Sequence, residues 1–480
     1  MSSVNRRQFL AATAASLISA SFFQCAKQRK KPNVLFIAVD DLRPELGCYG
    51  HPVVKSPHID ALAAQGSMFT NTFCNVPVCG ASRASLLTGI RPRRDRFVTY
   101  DTRMTEDAPD AITIPGHFKK HGYYAISLGK VAHHRDDNEN HWSEPPWRPD
   151  YPAERGIQVN WRDYQTEMNR KIAARQENGA AWPYEWPEID DNKYYDGKIA
   201  DRAVQDIQRL SRADQPFFLA VGFLKPHLPF NAPKKYWDLY DSSEIRLPDN
   251  YYRPENAPDA AIHNFGELRA YYGVPAHGPV SDDMARTLIH GYYACVSFTD
   301  AQIGRVLDAL QESGEADNTI VILWGDHGWN LGEHTLWCKH CNFKTSLRVP
   351  MIVKVPGKKA SQSPALTEYV DIFPTLCDLA GLPKPSQLHG ESYAPLLEDG
   401  DRPWKKAVFS QWHEGATVKT ERYAYTEWTH DNGEVYAKML YDHRTDPNEN
   451  VNIVDREENR EIVNELADLL EKNVASLLSP

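Results

Sequence analysis

Short apolar runs, each ending on a charged or glycine-containing turn, punctuate the chain from residue 33 onward. Asn33-Val34-Leu35-Phe36-Ile37-Ala38-Val39 is unbroken, and it stops at Asp40-Asp41. A run of that length without polar alternation predicts a strand buried on both faces, the pattern of a parallel sheet. Tyr123 to Leu128, Phe217 to Phe223, Thr319 to Trp324 and Val349 to Val355 predict further strands. Between the strands the spacing becomes helical. Ser56-Pro57 opens a helix through Leu62 and Ala63 that stops at Gly66, with proline in the first turn where its missing N–H costs nothing. Ala81 to Leu87 predicts a helix closed by Thr88-Gly89, and Thr113-Ile114-Pro115 opens another stopped by Gly122. Residues 285–312 carry a long helical period, and Asp371 to Leu379 a shorter one. Strands alternating with helices predict an α/β fold with a doubly wound, mostly parallel sheet. Ligands of such sheets bind beyond the carboxyl ends of the strands.

Two stretches break this rhythm. Residues 134–195 concentrate Trp, Pro, Asp and Asn and predict an insertion of loops. From about residue 400, polar and aromatic residues alternate, as in Ala407 to Trp412 and Tyr423 to Trp428, ahead of a helical segment from Asn459 to Leu478. They predict a smaller C-terminal subdomain, an antiparallel sheet plus a terminal helix. The N-terminus differs again. Arg6-Arg7-Gln8-Phe9-Leu10 precedes a short Ala-rich stretch, Ala11 to Leu17. It reads as a twin-arginine (Tat) export signal, with an ordinary secretory signal as the alternative. Cys25 is a candidate for lipid attachment, although Phe23 and Gln24 stand where small residues are wanted. The expected organisation is an export signal over residues 1–31, a catalytic domain over 32–400 with its insertion at 134–195, and a C-terminal subdomain over 401–480. The mature protein is expected to be exported, periplasmic or at the cell surface.

Composition narrows the partners. Lys and Arg number 54 against 64 Asp and Glu, a net charge of −10, which argues against a nucleic-acid partner. An anionic substrate would need a local basic cleft. Hydrophobic residues are 41%, enough for a packed core. Past the N-terminus no run approaches the ~20 apolar residues of a membrane helix, so no transmembrane span is expected in the mature chain. Eight cysteines without dense spacing do not form a disulfide framework.

The candidate chemistry sits at strand ends. Asp40 and Asp41 follow one buried run, and Asp326 and His327 follow another. Adjacent carboxylates repel unless a cation or solvent screens them. Oxygen-rich ligation favours a hard divalent ion such as Ca²⁺ or Mg²⁺, while a histidine leaves the metal open. The bland reading is that Asp40-Asp41 caps a helix or binds loop amides. Cys79 stands just before the helix predicted from Ala81, where amide groups favour anions and a thiol pKa is expected to fall. Arg83, four residues on, shares that helix face.

These residues carry a resemblance. Cys79-Gly80-Ala81-Ser82-Arg83, followed by Leu87-Thr88-Gly89, resembles the signature of the formylglycine-dependent (type I) sulfatases, with Ala81 where the commonest signature has proline. Gly129-Lys130-Val131-Ala132-His133, Lys225-Pro226-His227 and Gly325-Asp326-His327-Gly328 stand in the family's order. Gly325 to Trp329 with Leu331 to His334, and Lys225 to Phe230, resemble the iduronate-2-sulfatase-like subgroup. The resemblance spans roughly residues 32–400 and implies an alkaline-phosphatase-like fold. It implies that a separate maturation enzyme oxidises Cys79 to formylglycine, and that Asp40, Asp41, Asp326, His327 and residue 79 bind Ca²⁺ or Mg²⁺. An aldehyde hydrate then offers one hydroxyl to attack sulfur and a second to expel sulfate, with Arg83 and the metal activating the first. Lys130 and Lys339 are implied as clamps on sulfate oxygens, His227 as general acid toward the leaving oxygen, and His133 as the base that drives sulfate release. The implied substrate is a sulfated oligo- or polysaccharide, with 2-O-sulfate on a uronic acid of a glycosaminoglycan or algal glycan.

Several residues keep two readings. His134 competes with His133, and Lys130 and Lys339 could be surface lysines. Lys225 could assist anion binding, and His334 could touch substrate or cap a turn. Cys338 and Cys341 flank His340 as C-x-x-C without a second Cys/His pair, which favours a structural role; Cys48 and Cys74 read as loop or core thiols. Trp142, Trp147, Trp161, Trp182 and Trp186 could stack on sugars or simply pack loops. Two other functions remain: a phosphoesterase on the same fold, and a non-catalytic glycan-binding surface protein.

Overall fold

The computed structural model describes residues 31–149 and 161–478. The export-signal reading, with Arg6, Arg7 and Cys25, lies outside the described residues.

Seven strands form the central sheet, in the order Ser361–Glu368, Ser67–Phe73, Arg348–Lys354, Thr319–Gly325, Asn33–Val39, Phe217–Phe223 and Tyr124–Gly129. Asn33–Val39 lies between two parallel neighbours, Val39 opposite Gly325 on one side and Phe223 on the other. Its side chains alternate between faces, as a strand demands. Leu35, Ile37 and Val39 join one buried cluster with Ile199, Ile207, Leu288 and Ile303 of the helices Tyr195–Leu210 and Asp282–Glu312. Val34, Phe36 and Ala38 join the opposite cluster with Leu86, Phe118 and Phe373 of the helices Cys79–Thr88, Ile114–Lys120 and Ile372–Ala380. Both faces of the sheet are thus covered by helices, the doubly wound, alkaline-phosphatase-like arrangement.

Three features depart from the sequence expectation. Arg348–Lys354 runs antiparallel to both of its neighbours, because an apolar run reports burial on two faces and not direction. Ser67–Phe73 and Ser361–Glu368 extend the sheet without an apolar run to announce them. The segment 134–195 is not loops alone. It holds the helix Glu167–Ala173 and the strand Tyr184–Glu185, paired with Phe230–Asn231. It runs into Tyr195–Leu210, whose Ile199, Ala203, Ile207 and Leu210 recur at helical spacing on the buried side.

At the C-terminus, Ala407–Trp412, Gly415–Thr420, Tyr423–Thr429 and Val435–Asp442 form an antiparallel meander. The helix Arg460–Leu478 packs Val463, Leu466 and Leu470 on Val418, Tyr425 and Leu440 of that sheet. No helix among the described residues is long and apolar enough to cross a membrane.

What positions the site is the parallel half of the sheet. Thr319–Gly325, Asn33–Val39, Phe217–Phe223 and Tyr124–Gly129 are successive neighbours pointing the same way. Their carboxyl ends deliver Asp326 and His327, Asp40 and Asp41, Lys225 and His227, and Lys130 to one rim. Gly222 is required there: a Cβ on it would lie 2.2 Å from the Lys130 carbonyl carbon. Gly222→Ala is expected to cost about 1–3 kcal/mol, the penalty of overpacking, and to displace the Lys130 turn. The urea midpoint measures it; a midpoint equal to that of the parent chain would show the close approach is not needed.

Candidate active site

Cys79 opens the ten-residue helix Cys79–Thr88, after an extended Val78 and before Gly89, whose left-handed φ of 69° closes the helix. The thiol is buried, with Sγ 3.3 Å from His327 Nε2 and 4.0 Å from Asp41 Oδ1. Burial and the Asp40 carboxylate push its pKa up, with Lys130 and Lys339 opposing. The helix start therefore does not produce the lowered thiol pKa that its position alone suggests; desolvation outweighs the amide dipoles.

Around Cys79 lies a fully buried charge cluster. Asp41 has a left-handed φ of 57°, and its N–H donates to Asp326 Oδ1 at 2.9 Å. The His327 N–H donates to the same oxygen at 3.0 Å. Arg83 Nε donates to Asp326 Oδ2 at 2.9 Å and Nη2 to Asp40 Oδ1 at 3.0 Å, while Nη1 reaches the carbonyls of Lys130 and Val131. Arg83 thus holds two carboxylates from behind. Lys130 pairs with Asp40, and the Lys339 ammonium lies 3.2 Å from Asp41 Oδ1.

The cluster is unevenly charged. Burial raises the Asp40 pKa, but Lys130 and Arg83 outweigh it and hold the carboxyl well below the usual range. Asp41 goes the other way: burial and the neighbouring Asp40 lift it to about 8 despite Lys339. A buried carboxyl forced upward beside a second carboxylate marks a place short of positive charge. One ligand atom each from Asp40, Asp41, Cys79 and His327 lie within 4.8 Å of one another. These donors fit a hard divalent cation without choosing between Ca²⁺ and Mg²⁺. Asp326 lies against this group, with Oδ1 3.5 Å from His327 Nε2. A second group, Asp41, His227 and Glu267, is similarly close. There the Lys339 ammonium already sits against both Asp41 and Glu267.

Cys79, Lys130 and Lys339 of this cluster line a cavity of about 560 Å³ together with His133, His227 and Glu267. All six catalytic candidates except Arg83, which is sealed beneath, therefore face one hollow. Burial works against the charge on Lys339, yet Asp41 and the other acids raise its pKa well above normal, so a cation is fixed at the wall. His133 is the reverse case. Burial and the Lys130 charge press it down to about 2, which keeps the ring neutral, and its Nδ1 is buried without a hydrogen-bond partner.

The open alternatives separate by position. His133 lines the cavity, whereas His134 Nε2 meets the Asp101 carbonyl at 3.3 Å. Lys225 does not face an anion: its ammonium donates to the carbonyls of His227 and Pro229, at 2.8 and 2.5 Å, and ties its own loop. His334 points to the Asn448 carbonyl at 3.0 Å and fastens the C-terminal segment. Cys338 and Cys341 are buried free thiols, as is Cys74, and Cys48 is a partly exposed one. Of the five tryptophans in the 134–195 segment only Trp161 lines the cavity, its ring edge-on to His227 at 5.1 Å. Trp142 is in the core, and Trp182 and Trp186 flank Tyr184 in a stacked row. Glu267 and His340 are among the wall residues that the sequence did not mark as site candidates. Glu267 sits on the four-residue helix Gly266–Arg269, and His340 stacks on Trp412 of the C-terminal sheet at 5.2 Å. Against the upward push of burial, Lys339 and His227 hold the Glu267 carboxyl well below the ordinary range.

The doubly wound, alkaline-phosphatase-like sheet gathers acids, a histidine, a buried thiol and two lysines at its carboxyl rim. Comparisons fix its class. The family model described as Sulfatase matches residues 32–382, and one described as N-sulphoglucosamine sulphohydrolase, C-terminal, matches residues 332–476. Iduronate 2-sulfatase of Homo sapiens is 36% identical over 391 residues, covering 74% of this chain and 70% of its own. A sulfatase of Formosa agariphila is 31% identical over 443 residues, covering 89% and 84%. A solved structure described as a 2-O GAG sulfatase has a TM-score of 0.70 at 25% identity, with 93% of this chain and 92% of that chain covered. The phosphonate monoester hydrolase of Agrobacterium radiobacter shares the fold, with a TM-score of 0.73 at 23% identity and coverage of 93% and 96%. The chain belongs to the Sulfatase family and is a sulfuric ester hydrolase, similar over most of its length to iduronate 2-sulfatases.

Proposed function

We propose that this enzyme is an exported sulfatase that removes 2-O-sulfate from a uronic acid of a sulfated oligo- or polysaccharide. The observation that carries the chemistry is Cys79, placed in the cavity wall within 4.0 Å of Asp41 and beside His327. The substrate position is supported by the relatives named for iduronate 2-sulfate and 2-O glycosaminoglycan sulfate. Export is supported by Arg6-Arg7 and the Ala-rich stretch after them, with Cys25 only a candidate for lipid attachment because Phe23 and Gln24 stand where small residues are wanted. The machinery is assigned to residues 32–400, and 401–480 form a subdomain whose Trp412 supports His340.

The reaction must place a nucleophile on sulfur, stabilise charge on the sulfate oxygens and protonate the departing sugar oxygen. When present, formylglycine made from Cys79 by a maturation enzyme supplies the hydroxyl nucleophile, and a divalent cation held by Asp40, Asp41, Asp326 and His327 supplies charge stabilisation. Lys130 and Lys339 bind the sulfate oxygens from the cavity wall, where a fixed cation in a dry site is most effective. Arg83 holds Asp40 and Asp326 in register and acts through them. His227 delivers the proton from Nε2 to the leaving oxygen, a contribution of roughly 10²- to 10⁴-fold. His133, which lines the same cavity and whose buried Nδ1 has no hydrogen-bond partner, is assigned the base that drives sulfate release.

The test compares the purified chain on aryl sulfate and aryl phosphate, then on disaccharides sulfated at uronate O2 or at hexosamine O6. The sulfate ester is expected to be favoured over the phosphate by roughly 100-fold or more in kcat/KM, and the O2 ester over the O6 ester similarly. Preference for phosphate would install the phosphoesterase reading, and turnover of neither ester the glycan-binding one. Preference for O6 would overturn only the substrate assignment.

A further inference from the structure

Two arginines hold the turn Gly129 to His133. Arg83, fully buried, donates from Nη1 to the carbonyls of Lys130 and Val131 and from Nε and Nη2 to Asp326 and Asp40. Arg148 takes the remaining carbonyls. Its Nε donates to Gly129 at 3.3 Å, and its Nη2 to Ala132 at 2.8 Å and His133 at 3.0 Å. Unlike Arg83, it is only half-buried and lines the reaction cavity. Among the described residues it has no carboxylate partner, and its Nη1 hydrogens make no hydrogen bond. Arg83 shows both things such a guanidinium can bind, carbonyls and carboxylates; Arg148 has only the first.

The backbone fixes where Arg148 stands. The Trp147 N–H donates to the Ser127 carbonyl at 2.9 Å, and the Trp147 carbonyl accepts from the Gly129 N–H at 2.8 Å. The residue before Arg148 is therefore paired along the edge strand Tyr124–Gly129. With three carbonyls steering its head group as well, Arg148 is ordered before any ligand arrives, so binding costs little side-chain entropy. The two lysines of the cavity wall are balanced by the protein itself, Lys130 against Asp40, and Lys339 against Asp41 and Glu267. Carbonyl dipoles orient a guanidinium but do not cancel its charge. Arg148 thus adds a fixed positive charge to the wall, in a chain whose net charge is −10.

We propose that Arg148 is a specificity-determining residue: its Nη1 donates to the carboxylate of the uronic acid whose 2-O-sulfate lies on Lys130 and Lys339. The inference rests on the 2-O-sulfated uronate proposed above. On a six-membered sugar ring the O2 ester and the carboxylate on C5 project from opposite corners. One ring therefore carries two anions that a single cation cluster cannot serve. Lys130 belongs to the turn and Arg148 is bonded to it, so the positions of the two cations are fixed relative to each other. Charge-assisted hydrogen bonds are about twice as strong as neutral ones, and a guanidinium suits a carboxylate better than an ammonium does. Arg148 takes no part in bond breaking; it selects the sugar.

A pair of substrates separates this role from bracing of the turn. Both are disaccharides with a 2-O-sulfate; one keeps the uronate carboxylate, and in the other that carboxyl is reduced to a hydroxymethyl group. The full-length, converted and metal-loaded enzyme is expected to favour the carboxylate by roughly 10- to 100-fold in kcat/KM, mostly through KM, the range for a hydrogen bond to a charged group. In Arg148→Gln that ratio is expected to collapse toward unity. Arg148→Lys keeps the charge without the planar fork and is expected to keep part of the ratio. The ratio is taken within one preparation, so it does not depend on how much of a variant is folded. An arginine that only braces Lys130 and His133 would lower kcat on both esters by one factor and leave the ratio alone. An unchanged ratio in Arg148→Gln therefore overturns the inference, while the uronate reading stands. So does a parent chain that prefers O2 over O6 esters yet ignores the carboxylate. Preference for a hexosamine O6 ester removes the uronate reading itself, and the inference with it.

Discussion

Replacing Cys79 with alanine is expected to remove sulfate release altogether, a loss on the order of 10⁴- to 10⁶-fold, while the fold survives. The size follows from what the residue does. The other groups proposed for the reaction are assigned to binding, orienting or moving a proton, and residue 79 alone to attack on sulfur; removing a nucleophile from such a unit takes nearly all of its effect with it. The fold survives because the side chain is small and its links to the structure are loose. Sγ makes two contacts, at 3.3 and 4.0 Å, and neither is the sole partner of His327 or Asp41. A change in thermal midpoint of no more than about 4 °C is expected. Cys79→Ser separates nucleophile from modification, because serine keeps a hydroxyl that sulfur chemistry could use once but gives no route for its release. The companion measurement is intact-peptide mass: a converted residue 79 is about 18 Da lighter than the thiol. Retained multiple turnover in Cys79→Ala would remove the assignment of residue 79.

How far the sequence anticipates this site depends on the element that carries each residue. Asp40, Asp41, Asp326 and His327 are legible because they end unbroken apolar runs, and buried parallel strands deliver such positions to one rim. Cys79 and Arg83 are legible through the signature they share. Glu267 is not. It rides on a four-residue helix entered through Phe265 at a φ of 44°, in a stretch with no period to read, and its neighbours at the site come from residues 40 or more positions away. His340 is hidden differently, since the flanking cysteines draw attention to a metal motif while its actual partner, Trp412, lies in another sheet. Sheet direction is also beyond a hydrophobic pattern: Arg348–Lys354 is buried like its parallel counterparts but runs the other way. The strand Ser361–Glu368 carries Ser, Gln and Pro at its exposed edge, so nothing apolar announces it.

The buried charge cluster leads to the second large effect, a loss of stability. Arg83→Met is expected to destabilise the chain by at least about 3–5 kcal/mol, the range for breaking a buried pair by removing one partner. Methionine fills much the same space, so cavity formation is a small part of the change. The cost lies in what remains. Asp40 and Asp326 are fully buried, and each loses the guanidinium contact of 3.0 or 2.9 Å that compensates it. Two main-chain carbonyls, of Lys130 and Val131, lose their donor in the same step. Lysine is a poor substitute despite its charge, because one ammonium cannot reproduce a planar fork that meets two carboxylates and two carbonyls at once. Arg83→Lys is therefore expected to recover only part of the stability. Activity should fall with both variants, more than the folded fraction explains, since Asp40 and Asp326 are the groups proposed to hold the cation and Lys130 is anchored through its own carbonyl. Urea denaturation of the two variants beside the parent chain gives the measurement. Equal midpoints for Arg83→Met and the parent chain would mean the carboxylates find compensation elsewhere, and the picture of a guanidinium holding the site from beneath would have to be abandoned.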